Sequence, residues 1–456
     1  MPQNIVLIMA DDHRHESIAA NGCEQLSTPH LDGLIASGVS FDGAHCQGGM
    51  HPAVCVPSRA SLLTGRNVFA SSQDPSGKDY EGAAFAIPAD MKTVPEMLRA
   101  AGYVTHHVGK WHNDRAAFAR SYSSCERVMF GGMSDHDKVP LHRFDPEGAY
   151  APEDCYYETG HSTDLFGESA VRFLQAQDKA TPFFLKVAFT APHDPRTPPP
   201  EHSVAADTID LPANYLPVHP FDNGELLVRD ELLEKTPRSP DAVRQHIADY
   251  YGMVQQLDAA IGDILAALEQ RGLREDTLVI YTADHGIGLG QHGLMGKQNL
   301  YEHSTRIPLI LSGAGLDAGR RVDHLVWHAD TTATILECAG LDPHMAQEGQ
   351  SLVPLANGQD DAPLRDSFCA VYAMSQRMVR DARWKLIQYH PQPDSPMQSV
   401  PGAGSSRGSE TEQLFDLEAD PFETVNLSSS PAHQDIRARL LAELRTWQRE
   451  AGDPLA

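Results

Sequence analysis

Long apolar runs are absent from this 456-residue chain. No stretch approaches the roughly 20 residues needed to cross a bilayer, so no membrane partner is expected. Basic residues are scarce, with 36 Lys and Arg against 62 Asp and Glu, a formal charge of -26. No Lys/Arg cluster interrupts that excess, which argues against nucleic acid as a partner, because neutralising phosphates needs grouped cations. An anionic substrate must therefore be met by a few placed cations and a metal, not by the overall field. Cysteine is sparse and unpaired in pattern. The seven residues at 23, 46, 55, 125, 155, 338 and 369 are odd in number and lack Cys-x-x-Cys spacing, so neither a disulfide framework nor a zinc knuckle is indicated. Met1-Pro2-Gln3 leads straight into an apolar run from Asn4, with no charged leader or apolar signal core, which sets the expectation of a cytoplasmic protein. No internal repeat is evident, and oligomeric state is not readable.

What the chain does contain is alternation. Short β-rich runs alternate with amphipathic stretches up to about residue 340, the pattern of a mostly parallel sheet sandwiched by helices in the α/β class. Predicted strands are 5–9, 104–108, 183–189, 278–282 and 309–311. Predicted helices are 28–37, 58–64, 93–101, 163–177, 241–270 and 328–339. From about residue 366 the pattern changes to short strands at 378–389 and 412–417 and a last helix near 432–450. The expected division is a catalytic domain at 1–365 and a small C-terminal α+β subdomain at 366–456, with a short antiparallel sheet and terminal helix. Residues 192–240 are Pro-rich without periodicity, as a substrate-binding insertion or a solvated excursion would be. Residues 392–409, rich in Pro, Gly and Ser, are expected to be mobile.

Each of the first four strands ends in polar residues: Asp11-Asp12, Lys110-Trp111-His112, His193-Asp194 and Asp284-His285. Ligands of open α/β sheets sit beyond the carboxyl ends of the strands, so four such clusters are expected to share one crevice. Adjacent carboxylates at a strand end suit either a cation or a turn whose N–H groups they accept. Lys110 and His112, two apart, would fall on the same side of an extended backbone. Between the first two strands lies Cys55-Val56-Pro57-Ser58-Arg59, continuing through Ala60-Ser61-Leu62-Leu63-Thr64-Gly65-Arg66. Pro57 suits the first turn of a helix and leaves Cys55 at its positive end, where free N–H groups and Arg59 form a cradle for a tetrahedral oxyanion. A buried structural cysteine before an ordinary helix is the plain alternative. A thiol phosphatase would need arginine six positions after its cysteine, where Ser61 stands.

This string resembles the defining motif of type I sulfatases in the alkaline-phosphatase-like superfamily, with every fixed position of Cys-x-Pro-x-Arg present. The chain around 383–387, 414–417 and 420–423 is similar to their small C-terminal subdomain. The resemblance implies a sulfuric ester hydrolase in which Cys55 is oxidised to formylglycine by a formylglycine-generating enzyme. It further implies a Ca²⁺ site of Asp11, Asp12, Asp284, His285 and residue 55. His285 stands where relatives often carry Asn, leaving Mg²⁺ or Mn²⁺ open, since imidazole is less typical of hard cations. By the same resemblance Arg59 and Lys110 stabilise the sulfate, His112 is the base that releases it from residue 55, and His193 and Lys297 contact the scissile ester oxygen. Two rivals accompany this reading: a phosphonate monoester or phosphodiester hydrolase of the same superfamily, and a catalytically silent metal-binding protein in which Cys55 stays a thiol. The small sulfated substrate, whether sugar, aryl or alkyl ester, is left open. Two further motifs carry weaker readings. Gly288-Leu289-Gly290-Gln291-His292-Gly293 formally matches a dinucleotide fingerprint, and His13-Arg14-His15 with His106-His107 could suggest zinc.

Overall fold

Uninterrupted Ile, Val and Leu runs require burial on both faces, and the computed structural model places them at the centre of an eight-stranded sheet. Residues 3–72, 86–313, 315–359, 361–391 and 408–456 are described, and the stretch expected to be mobile lies, up to residue 407, outside them. Across the sheet the strands run Arg320–Val322, Gly38–Phe41, Leu309–Ser312, Thr277–Ala283, Asn4–Ala10, Phe183–Ala188, Val104–Lys110 and Ser124–Met129. Leu309–Ser312 is antiparallel to both neighbours, and every other pair is parallel. The four strands with polar ends are adjacent and in register. Ala10 is opposite Ala283, and Ala188 is opposite both Met9 and Gly109. Their next residues therefore emerge at one level of one sheet edge.

The helices Pro29–Ser37, Val94–Ala100, Ser162–Ala176, Pro240–Gln270 and His328–Cys338 lie within one residue of the predicted bounds at each end. Local chemistry explains the starts. Thr93 and Ser239 accept backbone N–H bonds as N-caps, each followed by Pro in the first turn, where a missing N–H costs nothing. The cysteine helix begins earlier than predicted, spanning Cys55–Thr64. Pro57 is still in its first turn, whose N–H groups have no intrahelical partner.

Strands 378–389 are corrected to a hairpin of Gln376–Arg380 and Trp384–Tyr389. Its turn is set by Asp381, which accepts the N–H groups of Arg383 and Trp384 at 2.8 and 2.6 Å. With Thr411–Asp416 and the unpredicted Phe368–Tyr372 this makes an antiparallel sheet, covered by the helix Gln434–Ala451 through Leu440, Leu441 and Leu444. A fifth strand comes from far upstream. Gly48–Gly49 pairs in parallel with Phe368–Tyr372, directly ahead of Cys55. A Cβ on Gly49 would lie 2.1 Å from Pro57 Cγ, so glycine lets the small sheet press against the cysteine helix.

The chain terminus is tied to this sheet by a fully buried ion pair. Arg377 donates to Asp453 from Nε at 2.6 Å and from Nη2 at 2.8 Å. Removing one partner strands a charge, so Asp453→Ala should lower stability by about 3–5 kcal/mol in urea unfolding. The double variant Arg377→Met with Asp453→Leu should recover much of that. Equal stability of Asp453→Ala and wild type would contradict the role of the pair.

Candidate active site

Three carboxylates and three cations meet at the level strand ends, all of them buried. Asp11 and Asp12 follow the first strand, with Asp12 in the left-handed region at φ 65°. Asp12 N–H donates to Asp284 Oδ1 at 3.2 Å, locking two strand ends together. Arg59, one turn into the cysteine helix, donates from Nε to Asp284 Oδ2 at 2.9 Å and from Nη1 to Lys110 O at 2.9 Å, and its Nη2 lies 3.5 Å from Asp11. Lys110 donates to Asp11 Oδ2, and its Nζ is 4.0 Å from Cys55 Sγ. Lys297 donates to Asp12 at 2.8 Å. The carboxylates are thus matched one for one, as buried charges must be.

The electrostatics follow from that crowding. Burial and Asp284 push Asp11 up, but the charged Lys110 and Arg59 hold its pKa below the usual value. Burial raises Asp12 to about 6 against the pull of Lys297 and His285. Asp284 is driven below the ordinary range, its burial outweighed by His285, Arg59 and the lysines. His285 loses to burial yet is raised to about 9 by Asp284 and Asp12. His112 and His193 are both held well below the usual imidazole value, by burial and then by the neighbouring lysines, so both are neutral.

Every predicted site residue arrives in this one cluster. Cys55 Sγ lies 3.0 Å from His112 Nδ1, and His193 Nε2 lies 3.9 Å from Asp12. The alternation argument for Lys110 and His112 is corrected: Lys110 ends its strand, and His112 sits at φ 53°, so a left-handed turn rather than extended backbone brings both to Cys55. Other motifs resolve differently. After the strand Thr277–Ala283 no helix forms until the four residues Glu302–Thr305, which removes the dinucleotide reading of 288–293. His13 is fully buried against Tyr281 and Ser17, His106 stacks on Phe173, and His107 sits among Trp111, Phe118 and Tyr122. These histidines belong to the packed interior.

Residues to which the motifs gave no role also shape the site. Ser58 Oγ donates to Asp284 O and lies 3.1 Å from His328 Nδ1, whose Nε2 is 2.9 Å from Ala283 O. The Pro-rich segment returns to brace the lysine loop: Glu231 accepts the N–H groups of Met295 and Gly296 at 2.9 Å, and Asp230 accepts from Gln298 Nε2 at 2.7 Å. Only the Pro-rich, loop-like composition of 192–240 signalled a substrate-side role. Asp194, paired with Arg229, comes from the same segment.

One side of the cluster suits a cation. Ligand atoms of Asp11, Cys55, Asp284 and His285 lie within 4.8 Å of one another, and so do those of Asp11, Asp12 and His193. Asp11 Oδ1 and His285 Nε2 are buried with no hydrogen-bond partner among the described residues. Buried polar atoms left so are expected to have a ligand. Three carboxylates and one imidazole fit a hard divalent ion of the Ca²⁺, Mg²⁺ or Mn²⁺ kind.

Residues 3–341 match the sulfatase family, and residues 290–398 match the family described as N-sulphoglucosamine sulphohydrolase, C-terminal. The chain belongs to the sulfatase family. It is 24% identical to an N-acetylglucosamine-6-O-sulfatase of Bacteroides thetaiotaomicron over 99% of this chain and 87% of that one. It is 27% identical to an arylsulfatase of Clostridium perfringens, covering 97% and 95% of the two chains. Its fold matches BT4656, solved with D-glucosamine-2-N,6-O-disulfate, at a TM-score of 0.79 and 23% identity over 100% and 99% of the chains. This sulfatase is therefore a sulfuric ester hydrolase, built on the alkaline-phosphatase-like architecture expected from its sequence.

A divalent ion should relieve the repulsion among Asp11, Asp12 and Asp284. Thermal unfolding of EDTA-treated enzyme should shift upward by a few degrees on adding Ca²⁺ or Mn²⁺, corresponding to about 2.7 kcal/mol at a hundred times Kd. Asp284→Asn should abolish the shift. A metal-independent midpoint in the wild type would contradict the cation site.

Proposed function

We propose that this sulfatase cleaves the sulfate monoester of a small carbohydrate, using formylglycine made from Cys55 by a formylglycine-generating enzyme. The metal in this reading is Ca²⁺, with Mg²⁺ or Mn²⁺ as alternatives, held by Asp11, Asp12, Asp284, His285 and residue 55. The observation that carries the proposal is the seat of Cys55: in the first turn of a helix, 3.0 Å from His112 Nδ1 and inside the cluster with Asp11, Asp284 and His285. Its Sγ marks where the oxygens of the oxidised residue would stand. The sugar leaving group is supported by similarity to the N-acetylglucosamine-6-O-sulfatase. All seven cysteines are free, which supports residence in a reducing cytoplasm.

When present, the metal draws charge from the sulfate oxygens and the hydrated aldehyde offers an oxygen nucleophile. The chain's own residues do the rest. Arg59, fixed by Asp284 and Lys110 O, aims its Nη2, which has no hydrogen-bond partner among the described residues, at the anion position. Lys110 stands between Asp11 and residue 55 and shares its charge with the incoming sulfate. Neutral His112 holds Nδ1 against residue 55, the place from which a base must remove a proton to release sulfate. Lys297, kept charged by Asp12 and Asp230 despite burial, donates to the ester oxygen, and His193 stands beside it with Nε2 3.9 Å from Asp12.

The test is sulfate release from sugar, aryl and alkyl sulfates by enzyme co-expressed with a formylglycine-generating enzyme. Cys55→Ala should reduce turnover to background, and His112→Gln should cost about 10²–10⁴-fold in kcat, the usual worth of a positioned base. Faster turnover of a phosphonate monoester than of every sulfate would overturn the sulfate preference. A Cys55 that stays a thiol in the native host would leave the silent metal-binding alternative standing.

A further inference from the structure

A fifth strand reaches the same edge of the sheet, and it ends in glycine rather than in polar residues. Ser124–Met129 runs beside the strand of Lys110 with Lys110 opposite Met129, so Phe130-Gly131-Gly132 leaves the sheet at the level of Trp111 and His112. Trp111 N–H donates to Met129 O at 2.8 Å, which fixes the start of this segment. Its far side is fixed by the buried ring of His136. His136 Nε2 lies 2.9 Å from His193 O and Nδ1 lies 2.9 Å from Ser162 Oγ, while His136 O accepts from Ser162 N–H at 2.7 Å. A carbonyl only accepts, so Nε2 carries the proton.

Between these anchors Gly132 meets two residues of the site. Its O accepts a bond from Lys110 Nζ, so Asp11 and Gly132 take two of the three ammonium donors, with Cys55 Sγ 4.0 Å from the same nitrogen. Its Cα faces the ring of His112. A Cβ there would lie 2.5 Å from His112 Nε2 and 2.6 Å from Cε1. Ordinary contact needs about 3.5 Å, so the ring would have to retreat by about 1 Å. It cannot do so and keep its place, because Nδ1 is 3.0 Å from Cys55 Sγ and the His112 backbone is set at φ 53°. Gly132 has no positive φ, so the space beside His112, not backbone conformation, is what calls for glycine. Gly131 is the contrast: it is exposed, and among the described residues a Cβ on it would meet Met129 Cε alone, at an ordinary 3.6 Å.

We propose that Gly132 is a positioning residue for the reaction: its missing side chain lets the His112 ring stand with Nδ1 at residue 55, and its carbonyl aims Lys110 at the same place. This deepens the reading of His112 as the base that releases sulfate, and rests on it. The three atoms nearest an added methyl group all belong to His112, and the carbonyl that holds Lys110 would remain. Substituting alanine therefore acts on the base alone. A proton is taken efficiently only by a group within hydrogen-bond reach, so a ring pushed back from residue 55 loses rate rather than substrate affinity.

The test measures kcat for 4-nitrophenyl sulfate and N-acetylglucosamine 6-sulfate in wild type, Gly131→Ala, Gly132→Ala, His112→Ala and the double variant His112→Ala with Gly132→Ala, each processed by a formylglycine-generating enzyme. Gly132→Ala should lose about 10²-fold in kcat, the cost of a catalytic group misplaced by about 1 Å, and Gly131→Ala should match the wild type. In the His112→Ala background the ring that the methyl group strikes is gone, so Gly132→Ala should add no further loss. Crystals of the unprocessed proteins give a readout without turnover: His112 Nδ1 should stand about 1 Å further from Cys55 Sγ in Gly132→Ala than in wild type. A wild-type kcat in Gly132→Ala, an equal loss on top of His112→Ala, or an unmoved ring overturns the proposal. So does a Gly132→Ala protein that fails to fold, which would make the glycine structural rather than positional. Failure of the underlying reading is seen separately, as a His112→Ala variant as fast as wild type, or as absent sulfate release from both substrates by wild-type enzyme with its aldehyde verified by mass.

Discussion

Three carboxylates buried at the ends of adjacent parallel strands are the constraint around which this enzyme is organised. The register of the central strands puts Asp11, Asp12 and Asp284 at one level, where burial and mutual repulsion would otherwise force protonation. Arg59, Lys110 and Lys297 keep them ionised, and each of these cations comes from a different part of the chain. The three carboxylates are balanced by these three cations, and His285, raised to about 9, adds a positive charge that it gives up to serve as a ligand. A divalent ion then leaves positive charge over for the sulfate, and the lysines can be shared between carboxylate and anion without any buried group going unpaired. The chain's net charge of -26 is no obstacle to an anionic substrate, because the field that matters is this local one.

Remote elements serve the same end. The small sheet recruits Gly48–Gly49 and thereby fixes the approach to Cys55. The segment 192–240 supplies Asp230 and Glu231, whose bonds to the loop at 295–298 hold Lys297 over Asp12. His328 and Ser58 clamp the backbone of residues 283 and 284 from the opposite side. Precision at the site therefore depends on rigid strands for the metal side and on braced loops for the leaving-group side.

Much of this was legible in the sequence because the strongest physical signals were local. Helix bounds followed from Thr93, Ser239 and their prolines, and the central strands from unbroken apolar runs. The strand-end part of the cluster was legible because the ends of an open sheet converge, while Lys297 was marked only by the sulfatase resemblance. What stayed hidden was conformation that no period encodes. The left-handed turn at His112 looks like plain strand in sequence, and the turn at Asp381 interrupts a continuous β-rich run. Edge strands such as Arg320–Val322 are too short and polar to register. Asp230 and Glu231 lie in a Pro-rich stretch whose shape is set only by what it packs against.

The most direct test is a crystal of the enzyme grown with Mn²⁺, read by anomalous scattering. The account predicts one peak at coordination distance from Asp11, Asp12, Asp284 and His285, with Lys110 and Lys297 turned toward the anion position. A site free of anomalous signal, with both lysines still seated on Asp11 and Asp12, would contradict it.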